Sequence, residues 1–362
     1  MSYFLSYFVQ YLSHAPTGAQ EILLMDEPDA YLSMLGQQDL LRIFASFAEP
    51  TDRSVQPIQV VYVTHSPFLI DKNHSERIRV LEKGDGEEGT RLVANAGRNH
   101  YEPLRSAFGA FVAETTFISN CNLMLEGQAD QVLLAGISSL ARRAESTGAT
   151  LDLNSLSLVP SGSAEHIPYM VYLARGRDVD TPAVVVLLDG DDEADGIRQE
   201  LKKGYRDKKY VDDEFVIQSS DLDISDVSVA SDSIREIEDL IPVDLVLMAI
   251  RHYAAEVLSP EEAAEVAAAV TAVPVAAGQK VFKAAEAACK KAGTKLRLDK
   301  VGFARAVLHC LEHEADQDLQ ALTTANFEQL FARIDRAQRQ AVRVNGRERV
   351  RRTLTRHKDA FL

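Results

Sequence analysis

The sequence predicts an α/β protein with a partial parallel sheet, a second parallel-sheet domain and a helical C-terminal region. Three observations support this class. Apolar runs alternate with segments of helical pattern, several of these runs end in acidic residues, and the chain becomes rich in alanine beyond residue 243. This alternation is typical of parallel sheets, whose strands are buried on both faces.

The first predicted unit covers residues 1–105. Its apolar runs "EILLM" and "IQVVYVTH" are separated by a predicted helix, Gly36 to Ala48. We expect two parallel strands buried on both faces. The acidic segment "EKGDGEEGT" predicts a hairpin or a surface loop.

The second unit, residues 106–243, repeats the alternation, and the third, residues 244–362, is helical. Predicted strands of the second unit are "CNLMLEG", "LSLVPSG", "PAVVVLLDGD" and "EFVIQ", with helices at 129–145 and 164–174 between them. The third unit contains "PEEAAEVAAAVTAV", in which Pro and two Glu favour a helix start.

Charge limits the possible partners. The 362 residues carry a formal net charge of −15, and an acidic surface repels nucleic acid unless a basic region or metal ions bridge to phosphates. One basic series near the C-terminus recurs at helical spacing: Arg333, Arg336, Arg339, Arg343 and Arg347. It predicts either a solvated helix face or a surface that contacts phosphates.

Composition indicates a cytoplasmic protein without a membrane partner. No run approaches the ~18 apolar residues that span a bilayer, and the apolar opening lacks the basic region of a signal peptide. The three cysteines are too scattered for a disulfide framework or a metal knuckle. This usage is typical of a reducing compartment.

The stretch "ILLMDEPDA" delivers Asp26 and Glu27 at the end of a predicted strand, where an Asp can hold Mg²⁺ and a Glu can orient water. The next strand, "VVYVTHSP", ends at His65, whose imidazole could touch a terminal phosphate. The pair of motifs resembles the Walker B, D-loop and switch-histidine half of ABC-type ATPases. The resemblance implies that Asp26 binds magnesium, Glu27 is the catalytic carboxylate, Asp29 is the D-loop acid and His65 is the switch. The alternative is that the acids cap a strand and His65 lies in a turn.

The phosphate-binding half of such an ATPase has no counterpart in the sequence. No G-x-x-x-x-G-K-[ST] is present, and none of the nineteen glycines precedes a lysine. The ABC signature loop is missing too. We therefore expect ATP binding only if a complete ATPase domain is supplied, by a partner protein or by a missing N-terminal half. A fragment or a split gene would explain this pattern.

A second set of carboxylates follows two other predicted strands. Glu126 ends "NLMLE" and Asp130 lies on the next helix, while Asp189-Gly190-Asp191 follows "VVVLL". Residues two apart in an extended segment face the same way, so Asp189 and Asp191 can point at one ion. If these strands are neighbours, four carboxylates converge, and such oxygen ligands suit Mg²⁺ or Mn²⁺.

An E-G strand end followed by D-x-D resembles the Toprim domain, over about residues 121–242. An ABC-type ATPase joined to Toprim resembles the OLD (overcoming lysogenization defect) nucleases. The resemblance implies that Glu126 and Asp130 hold one metal ion and that Asp189 and Asp191 hold another. The segment "REIEDLIP" offers Glu236, Glu238 and Asp239, of which the resemblance favours Glu238 and Asp239 as completing the metal site. An acid-rich helix start is the alternative for this segment.

The resemblance also implies a lysine near the scissile phosphate, where an ammonium group offsets developing charge. Lys300, in "LRLDKVGFARAVL", is the first choice, with Lys280 and Lys283 as rivals. In "VPSGS", Ser161 or Gly162 could approach the metals or the phosphate. A simple turn is the alternative there.

The resulting expectation is a DNA endonuclease that uses two divalent ions about 3.5–4 Å apart. The resemblance implies a role in antiphage defence, DNA as a partner, and a homodimer or higher oligomer. Alternatives are a non-catalytic interaction module and a Toprim protein of the topoisomerase or primase type. No zinc-binding spacing supports a primase. His309 and His313 form an i, i+4 pair, but no third ligand is near them in sequence, which favours a structural role.

Overall fold

The computed structural model describes residues 21–30, 32–52, 55–66, 68–83, 89–92, 121–144, 148–175, 181–204, 209, 211–223, 229 and 233–359. The apolar opening segment and the predicted boundary at residue 105 lie outside the described residues. So do residues 84–88, which include most of the predicted acidic loop.

The N-terminal unit is a strand-helix-strand unit, as predicted. Strands β1 (Ile22–Asp26) and β2 (Gln59–Val63) pair in parallel, and helix α1 (Met34–Ala48) connects them. Ser33 caps α1 by accepting a 3.3 Å hydrogen bond from the amide of Gly36. A small apolar cluster forms between the helix and one face of the strands: Leu40, Leu41, Phe44 and Leu69, with Met25, Val60 and Tyr62 packed against it.

The expectation that these strands are buried on both faces is wrong for the described residues. Side chains alternate between the helix and solvent, and the outer face exposes Ile22, Leu24, Val61 and Val63, with Leu24 at 72%. The physical reason is that, among the described elements, only α1 packs on this sheet, and it covers one face.

Two short strands follow. Strands β3 (Leu81–Lys83) and β4 (Thr90–Leu92) pair antiparallel on either side of residues 84–88, which agrees with the predicted hairpin. The preceding loop contacts the second unit. The amide of Lys72 donates to Asn154 Oδ1 at 2.9 Å, and the amide of Leu153 donates to Asn73 Oδ1 at 2.7 Å.

A four-stranded parallel sheet forms the centre of the second unit and confirms the α/β class. Its strands lie in the order β6-β5-β7-β8, where β5 is Cys121–Leu125, β6 is Leu156–Pro160, β7 is Ala183–Leu188 and β8 is Val216–Gln218. The connecting helices are α2 (Gln128–Arg143), α3 (Ile167–Arg175) and α4 (Asp192–Lys203). Every residue of β5 and β7 is buried, as expected for a sheet covered on both sides.

The strand order places a topological switch point between β5 and β7. From β5 the chain moves outward to β6, then crosses back to pair β7 with the other edge of β5. In open parallel sheets, ligands bind at the carboxyl ends of the two strands where the order reverses. Glu126 and Asp189 immediately follow these two strands.

The C-terminal region is helical, as predicted. Its helices are α5 (Val243–Val257), α6 (Pro260–Ala269), α7 (Val281–Lys291), α8 (Lys300–His313) and α9 (Gln317–Asp359). Helix α6 starts at a capping box formed by Ser259 and Glu262 but ends at Ala269, before the predicted end of the Ala-rich stretch. Pro274 disfavours helical conformation in the residue before it, which shortens the helix.

The arginine series lies along α9. Arg336, Arg339, Arg343 and Arg347 are exposed and Arg333 is half-buried, so the predicted basic face is present on the surface. Arg339 pairs with Asp335 at 2.9 Å. Within the described parts of the chain, no helix is both long and apolar enough to cross a membrane.

Candidate functional site

The carboxyl ends of β5 and β7 meet through Glu126 and Asp189. The backbone amide of Asp189 donates a 2.7 Å hydrogen bond to Oε1 of Glu126. The two strands pair along Cys121–Met124 and Ala183–Val186, so their ends are held side by side. The structure thus brings together two of the carboxylates that the sequence predicts to converge.

Asp191 joins them from the start of α4. One of its oxygens caps the helix by accepting the amide of Ala194 at 3.1 Å. The other, Oδ2, lies 3.2 Å from Lys280 Nζ, and Asp189 Oδ2 lies 3.5 Å from the same nitrogen. The two aspartates therefore face one cationic group, as their spacing predicts.

Gly190 lets this segment approach the rest of the fold closely. Its amide donates to the carbonyl of Arg235 at 2.7 Å. A Cβ at this position would lie 2.8 Å from Ser220 Cβ and 3.0 Å from the carbonyl oxygen of Ile234. A larger residue does not fit without displacing backbone.

Asp130 is the third residue of α2. Its Oδ2 accepts the amide of Gly127 at 2.8 Å, which completes a capping box at the start of the helix. The side chain is 8% exposed, so the carboxyl group lies inside the protein beside the strand ends.

A short 3-10 turn, Ile237–Leu240, adds two buried glutamates. Glu236 and Glu238 are 3% and 0% exposed. Lys300 Nζ lies 3.1 Å from Glu236 Oε2 and 3.3 Å from Glu238 Oε1, and Lys280 Nζ lies 3.6 Å from Glu236 Oε2. Glu236 Oε1 and both oxygens of Glu238 are buried and accept no hydrogen bond, although Oε1 of Glu238 has the ion-pair contact with Lys300.

Asp239 has a different environment. Its Oδ1 accepts the amide of Val281 at 2.7 Å, and its Oδ2 accepts the amides of Arg235 and Glu236 at 2.8 and 3.1 Å. Three backbone donors thus occupy the carboxylate of Asp239, for which the resemblance implies metal binding. These contacts instead fix the Glu236 turn against the start of α7.

Two of the three candidate lysines reach the site. Lys280 precedes α7 and Lys300 is the first residue of α8, and their ammonium groups lie among the carboxylates. Lys283 is 65% exposed and pairs with Glu286 at 2.8 Å. From the sequence, Lys300 is the first choice and Lys280 a rival, and Glu236 is a candidate that the resemblance does not favour. No sequence signal places Lys280 or Glu236 beside Asp189, because these contacts depend on packing between segments that are distant in sequence.

Burial and mutual repulsion shift the pKa values of these acids. Burial is the main cause that raises the pKa of Asp189 to about 9, and the charge of Glu126 adds to it. Burial and the charge of Glu236 raise the pKa of Glu238 to about 8. The pKa values of Glu126 and Asp130 are raised mainly by burial as well.

The lysines and Asp191 shift in the direction that favours charge. For Lys280 and Lys300, burial opposes the ammonium form, but the surrounding carboxylates outweigh it and raise both pKa values. For Asp191, burial also opposes ionisation, yet the amide of Ala194 and the ammonium of Lys280 lower its pKa.

The donor set fits divalent metal ions. Two ammonium groups face a larger set of acids, namely Glu126, Asp130, Asp189, Asp191, Glu236 and Glu238. Three buried oxygens of Glu236 and Glu238 accept no hydrogen bond, and burial, together with repulsion between the acids, raises the pKa values of Asp189 and Glu238. Such a set of carboxylate oxygens suits Mg²⁺ or Mn²⁺.

Ser161 and Gly162 form a turn beside this site. The hydroxyl of Ser161 lies 2.6 Å from the carbonyl oxygen of Leu125 and 2.9 Å from that of Ser163, and its amide donates to Leu125 O at 2.9 Å. Gly162 has φ +90°, which favours glycine. Because its hydroxyl is turned to backbone carbonyls, Ser161 ties β6 to β5, as in the simple-turn alternative.

The ATPase-like residues lie at the ends of β1 and β2. Asp26 ends β1, and Glu27 adopts φ 43°, an uncommon conformation for this residue type. His65 Nε2 lies 3.5 Å from Glu27 Oε1, and Thr64 Oγ1 donates to Asp29 Oδ1 at 2.7 Å. The strand pairing therefore brings the predicted catalytic acid and switch histidine together on an exposed surface.

Comparison with protein families gives a match for this N-terminal portion. A family described as "AAA domain, putative AbiEii toxin, Type IV TA system" matches residues 1–71. The matched segment includes Asp26, Glu27, Asp29 and His65, which agrees with the ATPase-like character predicted for it. No curated protein matches the chain.

Two solved structures resemble the protein. The C-terminal region of the Burkholderia pseudomallei OLD protein is 16% identical, covers 62% of this chain and 98% of its own, and gives a TM-score of 0.33. The C-terminal region of the Xanthomonas campestris pv. campestris OLD protein is 13% identical, covers 60% of this chain and 95% of its own, and gives a TM-score of 0.30. Both are C-terminal regions of OLD proteins.

Proposed function

We propose that the carboxylate site hydrolyses phosphodiester bonds in DNA with Mg²⁺ or Mn²⁺. One observation carries the proposal: Glu126, Asp189 and Asp191 meet at the switch point of a parallel sheet, beside buried glutamate oxygens that accept no hydrogen bond. A purely structural cluster of acids would be fully compensated by hydrogen bonds or cations. The resemblance to the OLD nucleases supports the same reaction class.

We choose the metal ligands by asking whether backbone amides already occupy both oxygens of each carboxylate. We assign Glu126, Asp130, Asp189 and Asp191 as ligands, with Glu236 and Glu238 completing the set. Asp239 is a positioning residue because three amides occupy it. Bound divalent ions would supply an activated water and stabilise the leaving oxygen.

The remaining chemistry belongs to the lysines. Lys280 and Lys300 stay protonated because acids surround them, so their ammonium groups can donate to phosphate oxygens and offset developing charge. DNA would also need a basic surface on so acidic a protein. The exposed arginines of α9 provide one.

For the N-terminal portion, we propose that Asp26, Glu27 and His65 act in ATP hydrolysis only when a phosphate-binding loop is supplied, by a partner protein or by a missing N-terminal half. The 3.5 Å contact between Glu27 and His65 supports this assignment. Calorimetric titration of the isolated chain with ATP tests it. Micromolar binding by the chain alone would contradict it.

A non-catalytic interaction module is a second candidate, and the lysine contacts favour it. Lys280 and Lys300 already neutralise part of the carboxylate cluster, so the fold tolerates these acids to some extent without metal. In that case the cluster would stabilise the packing of α7 and α8, and no hydrolysis would occur.

Plasmid cleavage separates the two functions. The purified full chain is incubated with supercoiled DNA and Mg²⁺ or Mn²⁺, beside an Asp189→Ala, Asp191→Ala variant and the control Asp192→Asn. Asp192 is the exposed first residue of α4, next to the site. We expect cleavage by the wild type and the control but not by the double variant. Equal cleavage by all three would refute the site, and no cleavage on any DNA form would favour the interaction module.

A further inference from the structure

We infer that His252, His309 and Glu314 form a second metal site, for a transition-metal ion such as Zn²⁺. Each residue offers one ligand atom, and these atoms all lie within 4.8 Å of one another. The sequence alone presents His309 and His313 as a pair without a third ligand. The fold supplies a different partner set, because α5 packs beside α8 and brings His252 to His309.

The three ligand atoms are close together, but the two rings are stacked rather than turned toward a common point. The imidazole rings of His252 and His309 stack with centroids 3.9 Å apart and an angle of 19°. Glu314 Oε1 lies 3.3 Å from His252 Nδ1 and 3.8 Å from His309 Nε2. Tetrahedral zinc with ligands at about 2.0–2.1 Å separates its ligand atoms by about 3.3 Å, which is comparable to the two distances from Glu314. Binding would require at least one imidazole to rotate out of the stack, so that both ring nitrogens direct their lone pairs at the ion.

A fourth residue, Glu256, lies close to the other ring nitrogen of His252. Its second ring nitrogen, Nε2, lies 3.3 Å from Glu256 Oε1, is buried, and makes no hydrogen bond in the present ring position. Metal-binding histidines commonly donate their other N–H to a carboxylate, which fixes the ring. With Nδ1 directed at the ion, Nε2 can serve as that donor and Glu256 as its acceptor.

The ligand types select the metal. Two imidazole nitrogens and one carboxylate oxygen suit Zn²⁺ and its neighbours, whereas the carboxylate site offers only oxygens and suits Mg²⁺ or Mn²⁺. The two histidine side chains are 17% and 19% exposed and Glu314 is 42% exposed. The site is therefore reachable from solvent and leaves a fourth position for water.

This site lies away from the carboxylates. His252 is nine residues along α5 from Val243, and His309 is nine residues along α8 from Lys300, which is about 13.5 Å along each helix. Helix α8 begins at the carboxylate cluster, where Lys300 contacts Glu236 and Glu238, and α5 begins three residues after the turn Ile237–Leu240 that carries Glu238. A bound ion would join the two helices toward their other ends and stabilise their packing.

Zinc titration of the full chain tests the site. The parent carries Asp189→Asn and Asp191→Asn, which weakens competing binding at the carboxylates, and is freed of metal before calorimetry with Zn²⁺ and absorption spectroscopy with Co²⁺. The test variants are His309→Gln and Glu314→Gln. The control is His313→Gln, which alters a 57% exposed histidine on the same helix.

We expect one Zn²⁺ per chain in the parent and the control, and an affinity at least about tenfold lower in both test variants. Zn²⁺ should raise the melting temperature of the parent and of His313→Gln only. Equal affinity in the parent and both test variants overturns the proposal. Equal loss in His313→Gln also overturns it, because binding would then come from a surface histidine pair. If His309→Gln fails to fold, Glu314→Gln at an exposed position decides the outcome.

Discussion

The backbone amide of Asp189 donates a 2.7 Å hydrogen bond to the carboxylate of Glu126. This contact joins the ends of β5 and β7 and holds two acids side by side although their charges repel each other. Glu126 therefore has two roles that can be tested separately. Its oxygen accepts this hydrogen bond, and its negative charge would bind metal.

Glu126→Gln should abolish cleavage while the fold persists. The glutamine amide oxygen can still accept from Asp189, but the charge that binds metal is gone. Burial and the neighbouring acids raise the pKa of Glu126, so the ionised form is disfavoured in the folded protein. We therefore expect the free energy of unfolding in the absence of metal to stay the same or rise, as measured by urea denaturation.

Glu126→Ala provides the matched comparison. It removes the acceptor as well as the charge, and it should cost about 1–3 kcal/mol in unfolding free energy because the Asp189 amide loses its partner. Identical stability of the Ala and Gln variants would show that the hydrogen bond contributes nothing measurable.

Lys280→Met and Lys300→Met should each slow cleavage at saturating Mg²⁺ by at least about tenfold, because a preorganised positive group that offsets developing charge is removed. The rise in melting temperature caused by Mg²⁺ should remain or increase, since the acids lose a competing cation. Lys283→Met, on α7 but paired with Glu286 outside the site, is the control and should cleave normally. An equal loss in this control would point to a general charge effect.

Asp239→Ala should destabilise the protein whether or not metal is present. The substitution leaves three backbone amides, those of Arg235, Glu236 and Val281, without their acceptor, and each buried unsatisfied donor costs about 1–3 kcal/mol. Urea denaturation with and without Mg²⁺ measures the effect.

Asp244→Ala, at an exposed position in the first turn of α5, is the control and should change stability by less than about 1 kcal/mol. A loss in Asp239→Ala that appears only with Mg²⁺ would restore this residue as a metal ligand.

The sequence predicts the parts of this site that depend on local pattern. Apolar runs that end in Glu126 and in Asp189-Gly190-Asp191 locate two strand ends, and the parallel sheet then brings them together. The same reasoning places Glu27 and His65 near each other. In each case two general rules are sufficient: side chains two residues apart in a strand face the same way, and the carboxyl ends of parallel strands lie at one edge of the sheet.

Contacts between distant segments are not encoded in this way. Lys280 reaches Asp189 because the start of α7 is fixed by Asp239, and Glu236 is buried where its turn packs against α7 and α9 and Lys300 pairs with it. His252 meets His309 only through the packing of two helices. The sequence does not predict the exposure of Leu24 either, because an apolar run is the same whether or not a second layer of structure covers the strand.

The last prediction concerns Gly190, where the two aspartates depend on a close backbone approach. Gly190→Ala would place a Cβ 2.8 Å from Ser220 Cβ and 2.9 Å from its amide nitrogen, so the segment must shift. We expect a loss of about 1–3 kcal/mol in unfolding free energy, typical of overpacking, and reduced cleavage because Asp189 and Asp191 no longer face one cation.

Gly196→Ala is the control: a Cβ there meets nothing within 4 Å, and alanine in α4 should stabilise the protein by up to about 1 kcal/mol. Urea denaturation and plasmid cleavage measure both variants. If Gly190→Ala keeps full activity and stability, the contact with Ser220 does not determine the geometry of the site.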